Sequence, residues 1–243
     1  MNKLRVGFIS NCAVSGKTGL GRNVKAFLPI IYKTGKYDIF MLNQSMPDNA
    51  GEFQKLPWKN FGVFKNFDQQ RFQQDPNYQR VVAYANTAVE SFVTENKLDV
   101  CILLDDFWAG LPEFYFKTDW YQHMKQNFMF VATADSEPIL PLGKEWAQNC
   151  PNMRFWSDFA SRVLKEENKE LYKHCDTIHG SITIDDFKPL KKHERLELRN
   201  KFGIANDEKI IIYLGRNQLR KIFASHMEGL VKFRKQNPDK VRD

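Results

Sequence analysis

Short apolar runs alternate along this chain with longer segments in which apolar residues recur at helical spacing. The first run, 4–9, is rich in β-branched residues and is followed by Leu20, Val24, Phe27, Leu28 and Ile31 on one helical face. Similar apolar runs lie at 37–42, 99–104, 128–133, 153–156 and 176–179. Helical spacing recurs at 78–92, 114–125 and 159–173. The order of elements is therefore strand then helix, repeated.

This alternation predicts an α/β fold, because parallel strands need helical crossovers between them. The continuous apolar run at 99–104 is typical of a strand buried on both faces of a sheet. Thr18 is the expected N-cap of the first helix, and Gly35 its end. The segment 44–77 has no clear period and is predicted to be a long loop or an irregular insertion. We expect a doubly wound, mostly parallel, Rossmann-like sheet.

A second unit is predicted after residue 182. A charged stretch at 183–205 is predicted to be a linker with a short helix at 194–202, followed by an apolar run at 209–215 and a helical pattern at 222–236. One strand and one helix cannot bury a core of their own. The predicted organisation is thus a first domain at 1–182, a linker at 183–205, and at 206–243 the first strand and helix of an incomplete second Rossmann-like domain.

Composition narrows the class of protein. The 243 residues are 42% hydrophobic and 27% charged, as in an ordinary soluble globular protein. No apolar run approaches the ~18 residues that span a membrane, and the N-terminus shows no signal peptide, so a cytoplasmic location is expected. The four cysteines form no Cys-x-x-Cys pair, which predicts free thiols and no metal site.

Positive charge is concentrated at the C-terminal end. The last 61 residues hold 15 Lys or Arg against 9 Asp or Glu, which accounts for six of the net +7. Such a region attracts nucleic acid, anionic lipid or a phosphorylated small molecule, unless it is simply a solvated helix face. In the aromatic-rich segment 58–78, Asp68, Asp75 and the glutamines dilute the basic charge, so nucleic acid is not expected. Its rings are predicted either to pack on the sheet or to form an acceptor platform.

A glycine-containing loop, Ser15-Gly-Lys-Thr-Gly-Leu-Gly-Arg22, follows the first strand. Glycines there allow backbone N–H groups to approach an anion at a helix N-terminus. One interpretation is a Walker A loop, with Asp105 after the apolar run as its magnesium partner, although Asn11 stands where that motif has glycine. The others are a looser sugar- or phosphate-binding loop and a plain turn. The acidic pair at 105–106 has two interpretations: it is only a pair of carboxylates at the end of a strand, or it contacts a substrate.

A second candidate site is Gly215-Arg-Asn-Gln-Leu-Arg-Lys221, at the end of the second predicted unit's strand. Arg216 and Lys221 are placed just beyond the carboxyl end of that strand, where α/β sheets bind ligands. Arg grips phosphate oxygens with its planar fork, and Lys supplies a point charge. A diphosphate ligand is the simplest explanation of this local positive charge.

Together with Ile178-His-Gly180, Asp186-Phe-Lys-Pro189 and Glu197-Leu-Arg-Asn-Lys-Phe-Gly203, the string at 215–221 resembles family 4 glycosyltransferases of the GT-B fold. The resemblance implies that Arg216 and Lys221 are the catalytic pair contacting the donor's diphosphate. It implies donor or acceptor contacts for a further set of residues, which are Gly19, Gly21, Asp135, Glu137 and Ser157.

The resemblance implies a retaining sugar transfer from a nucleotide sugar, such as a UDP- or GDP-sugar, to a glycan, lipid or protein acceptor. No metal or other cofactor is expected, and a peripheral membrane contact is compatible with it. The family's paired glutamates have no counterpart in these 243 residues, so whether this chain is itself an enzyme stays open. The alternatives are a P-loop nucleotide-binding protein and a non-catalytic Rossmann-like binding domain.

Overall fold

The computed structural model describes residues 3–11, 18–65, 67–184, 187–215 and 221–240. It divides into two compact units, Met1–Phe187 and Lys188–Asp243. No helix in these ranges is both long enough and apolar enough to cross a bilayer.

The first unit is built on seven strands: β1 Leu4–Asn11, β2 Tyr37–Gln44, β3 Lys59–Phe61, β4 Val100–Asp106, β5 Phe128–Thr133, β6 Asn152–Phe155 and β7 Asp176–Thr177. They form one sheet in the order β3-β2-β1-β4-β5-β6-β7, and every described pair is parallel. The strand order reverses between β1 and β4. The predicted α/β fold with a doubly wound parallel sheet is confirmed.

Seven helices accompany these strands: α1 Gly19–Lys33, α2 Gln69–Gln74, α3 Pro76–Ala83, α4 Val89–Glu95, α5 Asp119–Met124, α6 Pro141–Asn149 and α7 Asp158–Glu167. One face of the sheet packs on a large apolar cluster that includes Phe92, Tyr121, Trp146 and Leu164 of α4 to α7. The other face packs on Val24 and Leu28 of α1. Burial on both faces explains why the central strands are continuously apolar.

The helix α1 begins and ends where the sequence predicts. The Thr18 hydroxyl accepts a hydrogen bond from the Gly21 N–H at 2.9 Å, which satisfies one of the free donors of the first turn. Gly35 follows the helix with φ +66°, a left-handed conformation that glycine adopts without strain. Both caps are confirmed.

Two predictions in the middle of the chain are wrong. The segment predicted as one helix at 78–92 is two helices, α3 and α4, because the chain turns at Ala85 with φ +68°. The buried Asn86, just after this turn, donates from its amide to the Ala109 carbonyl at 2.8 Å. The predicted loop at 44–77 contains β3 and α2, because Lys59–Phe61 pairs with β2.

The second unit consists of α8 Lys192–Lys201 and α9 Phe223–Gln236, with a short 3-10 turn at Pro238–Lys240. The strand predicted at 209–215 is not formed, and Ile211, Ile212 and Leu214 are 69–90% exposed. A strand needs a neighbour to satisfy its backbone groups, and the described residues of this unit supply none. The predicted strand at 209–215 is therefore wrong, whereas the predicted helix at 222–236 is confirmed by α9.

Three cysteines, Cys101, Cys150 and Cys175, are buried free thiols, and Cys12 lies outside the described residues. Burial raises the pKa of all three thiols, that of Cys175 to about 12. These side chains therefore pack as small apolar groups.

Candidate functional site

The parallel strands of the first unit all end at one edge of the sheet, the carboxyl edge. In open α/β sheets, ligands bind at this edge where the strand order reverses, because the crossovers on either side of that point separate and leave a crevice. The reversal here lies between β1, which ends at Asn11, and β4, which ends at Asp106. The candidate site is built around these two strand ends.

The first turn of α1 lies on the β1 side of this crevice. Gly21 is buried and Gly19 is exposed, and a Cβ added at Gly19 would meet no atom within 4 Å. The Asn23 amide of α1 donates to the Ser181 carbonyl at 3.4 Å, which connects this helix to the segment that follows β7. Residues 12–17, which include the Walker-like Lys17, lie outside the described residues. The exposed backbone at Gly19 leaves room for a ligand at the helix N-terminus.

Three further predicted residues follow the neighbouring strands. Asp135 and Glu137 come after β5, and Ser157 comes after β6; all three are exposed. The strand register places Ala132 of β5 between Asp105 of β4 and Phe155 of β6. The structure thus brings these residues and α1 to the same edge of the sheet, as the alternation of strands and helices predicts.

The predicted catalytic pair belongs to the second unit of the chain. Arg216 lies outside the described residues. Lys221 belongs to the second unit, where its side chain is exposed and its carbonyl accepts the Tyr213 hydroxyl at 3.1 Å. Their roles stay predictions.

An acidic pair ends β4. Asp105 is 1% exposed, and its Oδ1 accepts the Asp106 N–H at 2.8 Å. Burial raises the pKa of the Asp105 carboxyl to about 7, and the nearby Asp106 charge adds to this, while the hydrogen bonds from Asp106 and Gln44 lower it. The Thr133 hydroxyl donates to Asp106, which links β4 to β5. Asp105 is therefore a buried carboxyl that exchanges a proton near neutral pH.

Sequence reasoning missed a cleft beside this pair. It has a volume of about 330 Å³ and is lined by α3 and the loop after β4, including Arg80, Tyr84, Asn86 and Trp108. Burial and the charges of Asp105 and Asp106 raise the pKa of the Tyr84 phenol, which places that ring close to the acidic pair. The sequence feature that could have indicated this cleft is Trp108, a large aromatic residue two positions after the end of a buried strand.

The aromatic-rich segment 58–78 is packed. Trp58 is 7% exposed, and Phe64, Phe67 and Phe72 form a mutual cluster with centroids 5.1–6.0 Å apart. The Tyr78 hydroxyl accepts the Asp68 N–H at 3.1 Å. Of the two interpretations of this segment, the structure supports packing on the sheet.

A larger cleft of about 870 Å³ lies at the opposite edge of the sheet. It is lined by Leu4 and Val100, the first residues of β1 and β4, and by Trp120 and His123 of α5. The amino ends of the strands are separated from the carboxyl edge by the length of the sheet. This cleft is therefore distinct from the candidate site.

Comparison with known proteins extends the fold assignment. No family model and no curated protein sequence matches the chain. Among solved structures, sucrose-phosphate synthase from Thermosynechococcus elongatus matches with a TM-score of 0.54 and 10% identity. The match covers 95% of this chain and 60% of that protein, so the chain spans about three fifths of its length.

Two weaker structural matches were also found. A second, twinned structure of the Thermosynechococcus elongatus protein gives a TM-score of 0.37 at 12% identity, over 83% of this chain and 96% of that one. TubZ of Clostridium botulinum phage c-st gives 0.30 at 16% identity, over 71% and 57%. These two scores are too low to bear on the fold. The first match shows that this chain has a Rossmann-like α/β fold similar to that of sucrose-phosphate synthase, a glycosyltransferase.

Proposed function

We propose that this protein takes part in transferring a sugar from a nucleotide-sugar donor to an acceptor hydroxyl. One observation carries the proposal: the exposed Gly19 at the start of α1 and the exposed carboxylates of Asp135 and Glu137 share the carboxyl edge at which the strand order reverses. The fold similarity to sucrose-phosphate synthase supports it. The motif at 215–221 supports a diphosphate-containing donor.

The acceptor's hydroxyl oxygen forms a bond to the anomeric carbon as the bond from that carbon to the diphosphate oxygen breaks. The electron pair leaves with the diphosphate, which also takes up the proton of the hydroxyl. Arg216 and Lys221 would stabilise the negative charge that develops there, which is how preorganised cations accelerate such a step. Gly19 and Gly21 would shape the turn that faces the sugar, and Asp135, Glu137 and Ser157 would orient hydroxyl groups of the acceptor. Retention of anomeric configuration and independence from metal belong to the proposal.

Calorimetric titration of the chain with UDP and GDP tests the donor site. We expect Arg216→Ala to weaken binding by ~1.5–3 kcal/mol, the range for hydrogen bonds to charged groups, which is roughly a 10- to 150-fold change in Kd. Lys221→Ala should act in the same direction. Lys232→Ala, which removes an exposed cation from α9, is the matched control and should leave Kd unchanged.

The competing nucleotide-hydrolase function predicts a different result. In that case Mg²⁺ and ATP would bind more tightly than UDP or GDP, and Lys17→Ala would abolish binding while Arg216→Ala would not. Equal UDP affinity in the Arg216→Ala variant and the unmodified chain would show that the motif at 215–221 is structural, and the proposal would fail.

A further inference from the structure

Trp108 is a large ring left open to solvent at the carboxyl edge. It is 38% exposed, whereas Phe107 beside it is 4% exposed and belongs to the core. The Tyr84 ring meets it edge-on, with centroids 5.0 Å apart and planes at 85°. The Arg80 guanidinium carbon lies 5.6 Å from the Trp108 ring centroid. Neighbouring side chains thus hold this ring in place and leave about two fifths of its surface exposed.

The backbone that carries Trp108 is held by hydrogen bonds on both sides. The Ala109 N–H donates to the Asp106 carbonyl at 2.9 Å. The buried Asn86 donates from Nδ2 to the Ala109 carbonyl and accepts the Leu111 N–H at Oδ1, each at 2.8 Å. Because the loop is held in this way, little conformational entropy remains to be lost when a ligand binds. The ring is presented in a preorganised position.

The cleft in front of Trp108 is lined by both apolar and polar side chains. Its volume of about 330 Å³ is at the lower end of the range for small-molecule sites, ~300–1,000 Å³. The apolar lining residues are Val81, Ala109, Leu111 and Leu142, and the polar ones include Asn77, Arg80 and Asn86. None of the ion pairs formed by the described residues includes Arg80, and its side chain is exposed, so a ligand can reach the guanidinium.

A sugar ring has the matching distribution of groups. Its C–H bonds lie on the faces of the ring, and they carry a partial positive charge that is attracted to the negative face of an indole. Its hydroxyl oxygens lie around the rim, where the planar fork of an Arg can donate to them. The Tyr84 phenol, whose pKa is raised by burial, stays protonated at neutral pH and so keeps its O–H as a donor.

We propose that this cleft binds a single hexose-sized ring, stacked on Trp108, with its hydroxyls or an attached phosphate against Arg80. The inference rests on the proposed function, which requires an acceptor, and it assigns one ring of that acceptor to this cleft. It goes further by naming the acceptor as a carbohydrate and Trp108, Tyr84 and Arg80 as the residues that select it.

Saturation-transfer NMR on the full chain tests this assignment. The probes are methyl α-glucoside, methyl β-galactoside, glucose 6-phosphate and uridine. We expect transfer to the ring protons of at least one sugar, and a Kd about five to ten times higher in Trp108→Ala, from the energy of one aromatic contact. Trp108→Phe should restore most of the affinity. Tyr32→Ala, which removes another ring that is 38% exposed, is the control and should change nothing.

The variant at Arg80 separates the two kinds of sugar. If the group that contacts Arg80 is a phosphate, Arg80→Gln should weaken the binding of glucose 6-phosphate alone. If that group is a hydroxyl, Arg80→Gln should weaken the binding of all the sugars. Three results would overturn the inference: no transfer to any sugar at millimolar concentration, equal affinity in Trp108→Ala with an unchanged unfolding midpoint, or displacement of the sugars by uridine.

Parallel titration with UDP and GDP keeps the two proposals apart. If the nucleotides bind and the Trp108 variants have no effect on sugars, the cleft assignment fails and the proposed function stands. If sugars bind through Trp108 and neither nucleotide binds, the donor chemistry fails and the cleft remains a carbohydrate site.

Discussion

The buried carboxyl of Asp105 should make the first unit less stable as pH rises. Its pKa is raised from 3.8 to about 7, mainly by burial, so the folded protein holds this proton over a pH range in which the unfolded chain has lost it. The Asp105 carboxyl therefore does not lower the free energy of unfolding below about pH 4. From there the free energy of unfolding falls as the pH rises, until the pH exceeds about 7. Asp105→Asn replaces the carboxyl with a group of similar shape that does not titrate, and should remove this dependence.

The size of the effect follows from the two pKa values. Each pKa unit corresponds to about 1.4 kcal/mol, so the full difference is roughly 4 kcal/mol. Between pH 5 and pH 8 the expected loss is about 2.5 kcal/mol, because at pH 5 the unfolded carboxyl is already ionised. The carboxamide oxygen of the Asp105→Asn variant can still accept the Asp106 N–H, which lies 2.8 Å from Oδ1 of Asp105 in the unmodified chain.

Urea unfolding followed by tryptophan fluorescence measures this loss. All five tryptophans (Trp58, Trp108, Trp120, Trp146, Trp156) lie in the first unit, so the signal reports on that unit alone. The unfolding free energy of Asp105→Asn, relative to the unmodified chain, should rise by about 2.5 kcal/mol from pH 5 to pH 8. Asp135→Asn removes one exposed carboxylate from the same edge and controls for net charge.

A variant less stable than the unmodified chain at pH 8 would refute this reasoning. It would mean that the Asp106 N–H and the Gln44 amide stabilise the ionised carboxylate by more than burial destabilises it.

Two further predictions concern packing and local order. Gly62→Ala should destabilise the first unit by about 1–3 kcal/mol, because its Cβ would lie 2.3–2.4 Å from backbone atoms of residues 46–48; Gly19→Ala, which meets nothing within 4 Å, is the control in the same urea assay. Equal stability of the two variants would contradict the packing at Gly62. Amide hydrogen exchange should be fast through 209–215, which is exposed and forms no strand, and slow through β4 at Val100–Asp106, which pairs on both sides. Slow exchange at 209–215 would show that this segment pairs with another strand.

Several elements could be predicted because their cause is local. The β5 strand at Phe128–Thr133 was located to the residue, since a continuous apolar run of this length is characteristic of a strand buried on both faces. The α1 caps at Thr18 and Gly35 depend on one side chain and one backbone conformation. The gathering of Gly19, Asp135, Glu137 and Ser157 at one edge follows from parallel strands alone.

Other features depend on contacts between residues far apart in the sequence. The break between α3 and α4 satisfies backbone groups 23 and 25 residues away through Asn86. Helix α6 was not predicted from the sequence. Its buried residue Trp146 is held by contacts with Tyr115, Phe130 and the Gly110 carbonyl, which lie far from it in the sequence. The cleft at Trp108 forms only when α3 and the loop after β4 come together.

What the sequence by itself determined is the fold class, because hydrophobic periodicity records which face of each segment is buried. It also determined that Gly19, Asp135, Glu137 and Ser157 each follow a strand of one parallel sheet. Tertiary structure alone decided which of two similar apolar runs became a strand: 100–104 pairs on both sides in the sheet, whereas 210–214 has no described strand beside it and stays exposed. A strand's stability lies in hydrogen bonds to its neighbours, and those neighbours are not encoded in the strand itself.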